Sequence, residues 1–266
     1  MRLVSARARL PALLRRPTAS GTTVVFLTVP DDAVAAVASM LASADIPDKV
    51  AFVHASGALE LAALAPLDRR HAVGSFHPLR SFPQPGPPEA FRGIVIGVDA
   101  STESLRRALN GLARDLGATP KRVVDAQRAV YHAAAVFASN YVVTLLAEAV
   151  GLLEQSGWTE KQAIQGLVPL AEGAVANVRE RGPVLALTGP IRRGDAETVK
   201  RHLIALGQLE THARRAAKGR KSDLYRMLGE VALEIAQQAG LKPAAAERTR
   251  RALTRKVAAT RRRSRR

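Results

Sequence analysis

The sequence lacks cysteine and lacks the short glycine motifs of nucleotide-binding loops. Among its 266 residues there is no Cys, which excludes a disulfide scaffold, a Cys-ligated zinc or iron–sulfur site and a cysteine nucleophile. Of its 19 glycines no two are separated by a single residue, so the Gly-x-Gly-x-x-Gly turn of dinucleotide sites does not occur. The Gly-x-x-x-x-Gly-Lys-Ser/Thr phosphate loop is missing too. We expect no metal site.

Negative charge is scarce only at the two ends of the chain. The formal net charge is +17; residues 1–20 contribute +5, residues 211–266 contribute +13, and the stretch between them carries −1. Only 8 of the 40 basic residues are Lys, so a compositional bias toward Arg explains part of this charge. The alternative is that the Arg-rich ends bind nucleic acid or anionic lipid. We predict a basic, disordered tail over residues 241–266.

One uncharged run, from Ala129 to Ala147, is long enough to cross a membrane. It contains His132, Ser139, Asn140 and Thr144, and polar side chains are costly in lipid. We therefore predict a buried helix of a soluble protein, with no membrane partner. The first 20 residues are Arg-rich like an organellar presequence, but they lack the apolar core of a secretory signal. We expect a cytoplasmic protein.

Apolar runs typical of buried strands are confined to the first half of the sequence. They alternate with helices or loops, a pattern that predicts a mainly parallel sheet covered on both faces. The predicted strands are VVFLTV (24–29), KVAFVHAS (49–56), HAVGSF (71–76) and GIVIGV (93–98), and a helix is predicted from Ser101 to Leu116. The second half shows helical patterns only. The fold class is therefore α/β followed by all-α.

Capping signals place the helices of the second half. A helical pattern runs from Asp125 to Gln155, and Thr159 with Gln162 forms a capping box for a helix toward Val178. The stretch RGPVLALTGPIRRGD (181–195) is predicted to be a loop. Asp195 then caps a helix through Leu206, and a last helix covers Asp223 to Ala239.

Candidate functional residues lie where the predicted strands end. His54 and Ser56 follow one strand and His77 follows the next, and ligands of parallel sheets bind beyond the carboxyl ends of the strands. In the long helix, His132 and Asn140 are eight residues apart, about 80° around the helix axis, so they share one side. For each histidine, a purely structural hydrogen bond remains the alternative.

Five segments of the sequence together resemble a known family. It comprises bacterial Rossmann-like proteins with a C-terminal helical domain of unknown function 2520, within the wider group of 6-phosphogluconate dehydrogenase and pyrroline-5-carboxylate reductase. The resemblance covers residues 24–240. The segments are VPDDAV (29–34), HASGAL (54–59), GSFHPLRSF (74–82), YHAAAVFASNY (131–141) and LTGPIRRGD (187–195).

The resemblance implies an NAD(P)-dependent oxidoreductase that acts on a small-molecule substrate. It implies a Rossmann-like domain over residues 1–124, a helical and dimerising domain over residues 125–240, and a homodimer. The implied cofactor-binding residues, for NADP or NAD, are Val29, Pro30, Asp31, His54 and Ser56. The implied catalytic residues are His132, His77 and Asn140, and the implied substrate-binding residues are Thr188, Gly189 and Pro190.

The sequence departs from this family at its start. The family begins with a strand, a glycine-rich turn and a helix, whereas only about 20 residues precede VVFLTV here. Either the start codon is placed too far downstream or the pyrophosphate cradle is lost, and we expect the former. Two other functions stay open: a non-catalytic scaffold without nucleotide binding, and nucleic-acid association through the Arg-rich ends.

Overall fold

The computed structural model describes residues 23–84, 86–211 and 220–254. Its internal contacts divide the chain into two compact units, one ending at Val142 and one beginning at Val143. We call them the sheet unit and the helical unit. The sequence placed a boundary before Asp125, where the first helix after the sheet begins; the contacts group that helix with the sheet.

The sheet unit contains one five-stranded sheet in the order β1-β2-β3-β4-β5. Neighbouring strands run parallel except β3 and β4, which are antiparallel. The predicted mainly parallel, Rossmann-like sheet is thus confirmed. The strands are β1 (Thr23–Leu27), β2 (Val50–His54), β3 (Val73–Pro78), β4 (Val95–Ala100) and β5 (Thr119–Arg122).

Four strands lie within two residues of their predicted bounds, and β5 was not predicted. Its sequence, TPKR, is polar and mostly exposed. A strand with one described neighbour and little burial carries no apolar alternation for sequence reasoning to detect. β2 is the opposite case, because all five of its residues are buried.

Helices cover both faces of this sheet. Alternate residues of β2 enter different cores: Phe52 packs with α1 (Asp31–Ala42) and the short α2 (Ala65–Asp68). Ala51 and Val53 pack on the other face with Leu105 and Leu109 of α3 (Glu103–Asp115). This alternation follows from the two-residue period of a strand. Thr102 caps α3 by accepting a hydrogen bond from the Leu105 N–H, as the predicted helix start requires.

The predicted helix from Asp125 to Gln155 is broken into two. Helix α4 (Asp125–Ala138) ends at Ser139, whose φ of −123° and ψ of −72° are not helical, and α5 (Asn140–Glu154) follows. The predicted burial of Ala129–Ala147 is wrong for the single chain, because α5 has no buried residue. Asp125–Glu154 is long enough, and contains an 18-residue stretch apolar enough, to cross a membrane, and no residue of that stretch is buried.

Five further helices are described in the helical unit. The capping box of Thr159 and Gln162 is confirmed, with both reciprocal hydrogen bonds present. The cap at Asp195 is also confirmed, since its carboxylate accepts the Thr198 N–H at 3.0 Å. The helices are α6 (Glu160–Ala186), α7 (Gly189–Arg193), α8 (Ala196–Thr211), α9 (Arg220–Gln238) and α10 (Pro243–Thr254).

Two predictions in this unit need correction. The stretch 181–195 is mostly helical: α6 kinks at Gly182, where φ is +73°, and continues to Ala186 before α7 begins. The predicted disorder of 241–266 is wrong for residues 243–254, which form α10 and bury Ala252 and Leu253 against Val199 and Leu203. Glycine and proline suggested the loop at 181–195 and charge suggested the disorder of 241–266, whereas apolar residues every three or four positions anchor α10.

The contact between α9 and α10 is close enough to test by adding a methyl group. A Cβ at Gly229 would lie 2.5 Å from Leu253 Cδ2, and Leu253 is fully buried. We expect Gly229→Ala to lower the free energy of unfolding by about 1–3 kcal/mol through overpacking. Thermal and urea unfolding followed by circular dichroism would measure the change.

Gly207 in α8 is the matched control. A Cβ there meets nothing within 4 Å, so Gly207→Ala should stabilise the chain by up to about 1 kcal/mol through helix propensity. Equal responses of the two variants would contradict the packing of α10 described above.

Candidate active site

The carboxyl ends of β1, β2 and β3 meet at one edge of the sheet, since these strands run parallel. This is the edge at which open parallel sheets bind ligands. Helix α4 brings Tyr131 and His132 to the same place. The structure therefore brings His77, the next-to-last residue of β3, close to His132, with ring centroids 6.5 Å apart. The resemblance grouped these two histidines, whereas Tyr131, which also contacts His77, was not predicted.

His77 and Tyr131 form the central hydrogen bond of this edge. The His77 Nδ1 and the Tyr131 hydroxyl are 2.8 Å apart, and the two rings meet edge to face. Burial lowers the pKa of His77, and the nearby His132 and Arg128 add to this effect. Burial also raises the pKa of Tyr131. Both groups are therefore neutral near neutral pH, and one proton lies in the hydrogen bond between the His77 Nδ1 and the Tyr131 hydroxyl.

Two glycines allow these rings to approach the backbone. A Cβ at Gly57 would lie 2.7 Å from His77 Cε1 and 3.0 Å from His132 Cδ2. A Cβ at Gly97 would lie 2.9 Å from the Tyr131 hydroxyl. Distances below 3.0 Å are inside the van der Waals limit for carbon, so each position requires glycine while the rings stay where they are.

Ser56 joins the end of β2 to α1. Its hydroxyl donates to Asp31 Oδ2 at 2.7 Å and accepts the N–H groups of Ala58 and Leu59 at 3.1 and 3.0 Å. A hydroxyl has one donor and two acceptor lone pairs, and all three are used here. A ligand that bound Ser56 would have to replace one of these bonds.

His54 lies underneath this edge and not on it. Its side chain is fully buried, and neither ring nitrogen has a hydrogen-bond partner among the described residues. Burial, with a further contribution from Arg128, lowers the pKa of His54 to about 4. The ring is neutral and enclosed, so it does not face a ligand at the strand ends, contrary to the prediction.

Arg128 and Asp125 belong to the site although the sequence did not single them out. The Arg128 guanidinium is buried and donates to the Ser75 hydroxyl at 2.8 Å and to the Val123 carbonyl at 3.2 Å. Its Nε faces Asp125 Oδ1 at 3.3 Å. An arginine that follows a helix start by three residues reads as an ordinary exposed charge, so no signal in the sequence marks it as buried.

The other predicted site residues are more exposed. Pro30 precedes α1 and, like Asp31 at its first position, is exposed; Val29 is half-buried. Asn140 is exposed at the start of α5, where its side chain accepts the Ser139 hydroxyl at 2.9 Å. The shared side predicted for His132 and Asn140 assumed one continuous helix, and the break at Ser139 removes that assumption.

The predicted substrate residues lie in the helical unit. Thr188 and Gly189 line an open cleft of about 670 Å³. The charged residues that line it are Arg192, Arg193 and Lys242. Pro190 is in the first turn of α7. Arg192 is held in place because it donates to the Ala239 carbonyl at 2.9 Å. The described lining carries positive charge and no carboxylate.

A nicotinamide dinucleotide would need two kinds of contact, and the described residues supply one. The neutral side chains of His77 and Tyr131, with the His132 ring beside them, suit the amide of a nicotinamide and a polar substrate group. A pyrophosphate is held by glycine-rich backbone at a helix N-terminus. The first turn of α1 instead carries Asp31 and Asp32, which repel a phosphate.

Comparisons with known proteins agree with the fold. Residues 94–232 match the family described as Domain of unknown function (DUF2520). This match covers just over half of the 266 residues, and the fold is that of a Rossmann-like protein with a C-terminal helical part. The chain belongs to the DUF2520 family, and the resemblance inferred from the sequence is confirmed.

Two solved structures share this architecture. Protein TM1727 from Thermotoga maritima is 25% identical with a TM-score of 0.66, and the alignment covers 83% of this chain and 81% of that one. BF3122 from Bacteroides fragilis, a proposed NADP oxidoreductase, is 23% identical with a TM-score of 0.63, covering 80% and 75% of the two chains. No functionally curated protein matches the sequence.

The buried neutral His54 should make stability depend on pH. Below about pH 6.5 His54 binds a proton in the unfolded chain, whereas in the folded chain it stays unprotonated until about pH 4. The free energy of unfolding should therefore fall as the pH drops through this window, by at most about 3 kcal/mol. Urea unfolding of the wild type at several pH values between 7.5 and 4 would measure the slope.

Replacing the ring isolates its share of that slope. His54→Leu should flatten the dependence, whereas His202→Gln, at an exposed histidine of the helical unit, should leave it intact. A slope unchanged in His54→Leu would show that other groups cause it; His71 and His77, whose pKa values burial also lowers, would be next.

Proposed function

We propose that this chain is an NAD(P)-dependent oxidoreductase whose proton-handling pair is His77 and Tyr131, with His132 as a second donor. The observation that carries the proposal is the half-buried His77–Tyr131 hydrogen bond of 2.8 Å at the carboxyl ends of three parallel strands. The similarity to a proposed NADP oxidoreductase supports the reaction class. Val29, Pro30, Asp31 and Ser56 would border the cofactor, for which either NADP or NAD is possible.

When bound, a nicotinamide would supply the hydride, and the protein would supply orientation and a proton. When the Tyr131 O–H donates to Nδ1, His77 carries its own proton on Nε2, beside Gly57. A histidine suits proton transfer because small environmental effects set its protonation near neutral pH. Asn140 and Ser56 would orient polar groups of the ligands.

The substrate would carry a negative charge in this proposal. Thr188, Gly189 and Pro190 belong to or adjoin the cleft lined by Arg192, Arg193 and Lys242. Arginine forks match carboxylate and phosphate geometry. A small carboxylate or phosphate ester is therefore the substrate class that the described lining favours.

The central experiment measures nucleotide binding and then proton transfer. We expect isothermal titration calorimetry to show binding of NADPH or NADH to the wild type. The assay follows NADPH oxidation with a panel of carboxylic acids that carry a carbonyl or imine group. In it, Tyr131→Phe and His77→Gln should lower kcat by about 100-fold or more. His132→Gln should also abolish turnover without unfolding the chain.

Tyr225→Phe is the matched control for these variants. Tyr225 forms a similar bond to His202, at 2.8 Å, within the helical unit, so its loss should leave kcat unchanged. If neither nucleotide binds, the oxidoreductase proposal fails and the non-catalytic scaffold is favoured. Unchanged turnover in His132→Gln would remove that residue from the site.

We also propose that the helical unit forms a homodimer through the exposed apolar side chains of α6. Leu170 and Val175 are 71% and 54% exposed. Among the described elements, α6 packs substantially on α9 alone. Removing apolar side chains of this size from water lowers the free energy, and exposed apolar patches mark interaction surfaces. A second copy offers the same surface in a self-complementary arrangement.

Light scattering after size exclusion should give twice the chain mass of 28.4 kDa. Leu170→Glu and Val175→Glu should shift the protein toward the monomer because they bury charge in the interface. Gln165→Glu, on an exposed position of the same helix, should not. A monomeric wild type, or a wild type that sediments with lipid vesicles through these residues, would contradict the proposal.

Two predictions concern properties that lie outside this geometry. The Arg-rich residues 1–20 and 255–266 are not among the described residues, and nucleic-acid association through them stays a prediction. A cytoplasmic location stays a prediction as well.

A further inference from the structure

Arg128 is the one Lys or Arg side chain that is buried among the described residues; 1% of it is exposed. A buried charge is costly unless it is paired and hydrogen-bonded. Here the guanidinium meets the Ser75 hydroxyl, the Val123 carbonyl and the Asp125 carboxylate, at 2.8, 3.2 and 3.3 Å. Three partners from β3, the β5–α4 connection and α4 fix its position.

The Arg128–Ser75 contact lies next to the His77–Tyr131 bond. Ser75 and His77 are two residues apart on β3 and point to the same face of the strand. Arg128 and Tyr131 are three residues apart on α4 and are neighbours on its surface. The helix is therefore tied to the strand at two successive points, by Arg128 to Ser75 and by Tyr131 to His77.

The acidic partner of Arg128 is itself anchored. Both carboxylate oxygens of Asp125 accept the Leu61 N–H, each at 3.1 Å. Leu61 begins the helical turn that follows β2. The start of α4 is thus held to the segment after β2 as well as to β3, and Arg128 connects the two attachments.

We propose that Arg128 is a positioning residue for the His77–Tyr131 pair. Its hydrogen bonds set the depth and rotation of α4, so that the Tyr131 hydroxyl reaches His77 Nδ1. The catalytic meaning of the pair rests on the proposed function, whereas the positioning is a property of the chain alone.

Electrostatics support this assignment. Burial is the main cause of the low pKa of His77, and the charge of Arg128 acts in the same direction. The charged and titratable groups that face His77 are Arg128, Tyr131 and His132 on α4 and Asp31 on α1, which opposes them. The Nδ1 of a neutral His77 can accept a hydrogen bond from the Tyr131 hydroxyl, and the Nδ1 of a protonated His77 cannot.

The test measures the hydrogen bond directly, without nucleotide or turnover. In the full chain labelled with ¹⁵N-histidine, the His77 Nδ1 resonance, assigned with His77→Gln, reports whether Tyr131 is bonded to it. Arg128→Lys keeps the charge but loses the planar fork, and we expect the resonance to move to its unbonded position. In Arg128→Gln we expect the same movement together with a higher His77 pKa. Arg107→Gln, at an exposed residue of α3, should change neither.

A residue that only stabilised the fold would lower Tm and leave the resonance of the folded chain unchanged. An unchanged His77 resonance in both folded Arg128 variants would overturn the proposal. Should those variants fail to fold, Ser75→Ala removes one anchor and keeps the charge; a weakened His77–Tyr131 bond is then expected, and an intact one would refute positioning. Failure of NADPH to bind would contradict the proposed function and would not affect the result on the positioning role of Arg128.

Discussion

The attachment of α4 to β3 through a buried arginine is the constraint on which the candidate site depends. The helix contributes Tyr131 and His132, and the strand contributes His77, but neither element alone brings these side chains together. A buried guanidinium has few arrangements in which its charge and its N–H groups are all satisfied. That restriction converts an approximate helix–sheet packing into a defined distance between one phenol and one imidazole.

The same charge shapes the protonation of the surrounding histidines. Burial already disfavours the imidazolium form of His54 and His77, and the charge of Arg128 reinforces this. Asp31 opposes this effect at both histidines. The edge of the sheet thus carries two histidines whose pKa values burial lowers: His54, enclosed beneath the surface, and His77, half-buried and hydrogen-bonded to Tyr131. A half-buried, hydrogen-bonded histidine suits a site that moves a proton.

The helical unit shows a different balance, with little of its longest helix buried within the chain. The core around Val199, Leu203, Ala252 and Leu253 is small, while α6 leaves large apolar side chains in water. Such a unit is stabilised further when another surface covers that helix. The apolar run Ala129–Ala147 resembled a membrane segment for a related reason. Hydropathy counts apolar residues and takes no account of what covers them.

The sequence by itself determined the fold class, the family and most of the elements. Continuous apolar runs predicted β1 to β4, and Thr159 and Asp195 marked two helix starts through local hydrogen bonds. The rule that parallel strands end together predicted His77 at the ligand-binding edge, and the family resemblance added His132. Only the tertiary structure decided that Arg128 is buried, that His54 is enclosed, that Tyr131 reaches His77, and that α10 is folded. These features depend on contacts between residues distant in the chain, such as Ser75 with Arg128, and local patterns of charge and hydropathy carry no information about such pairings.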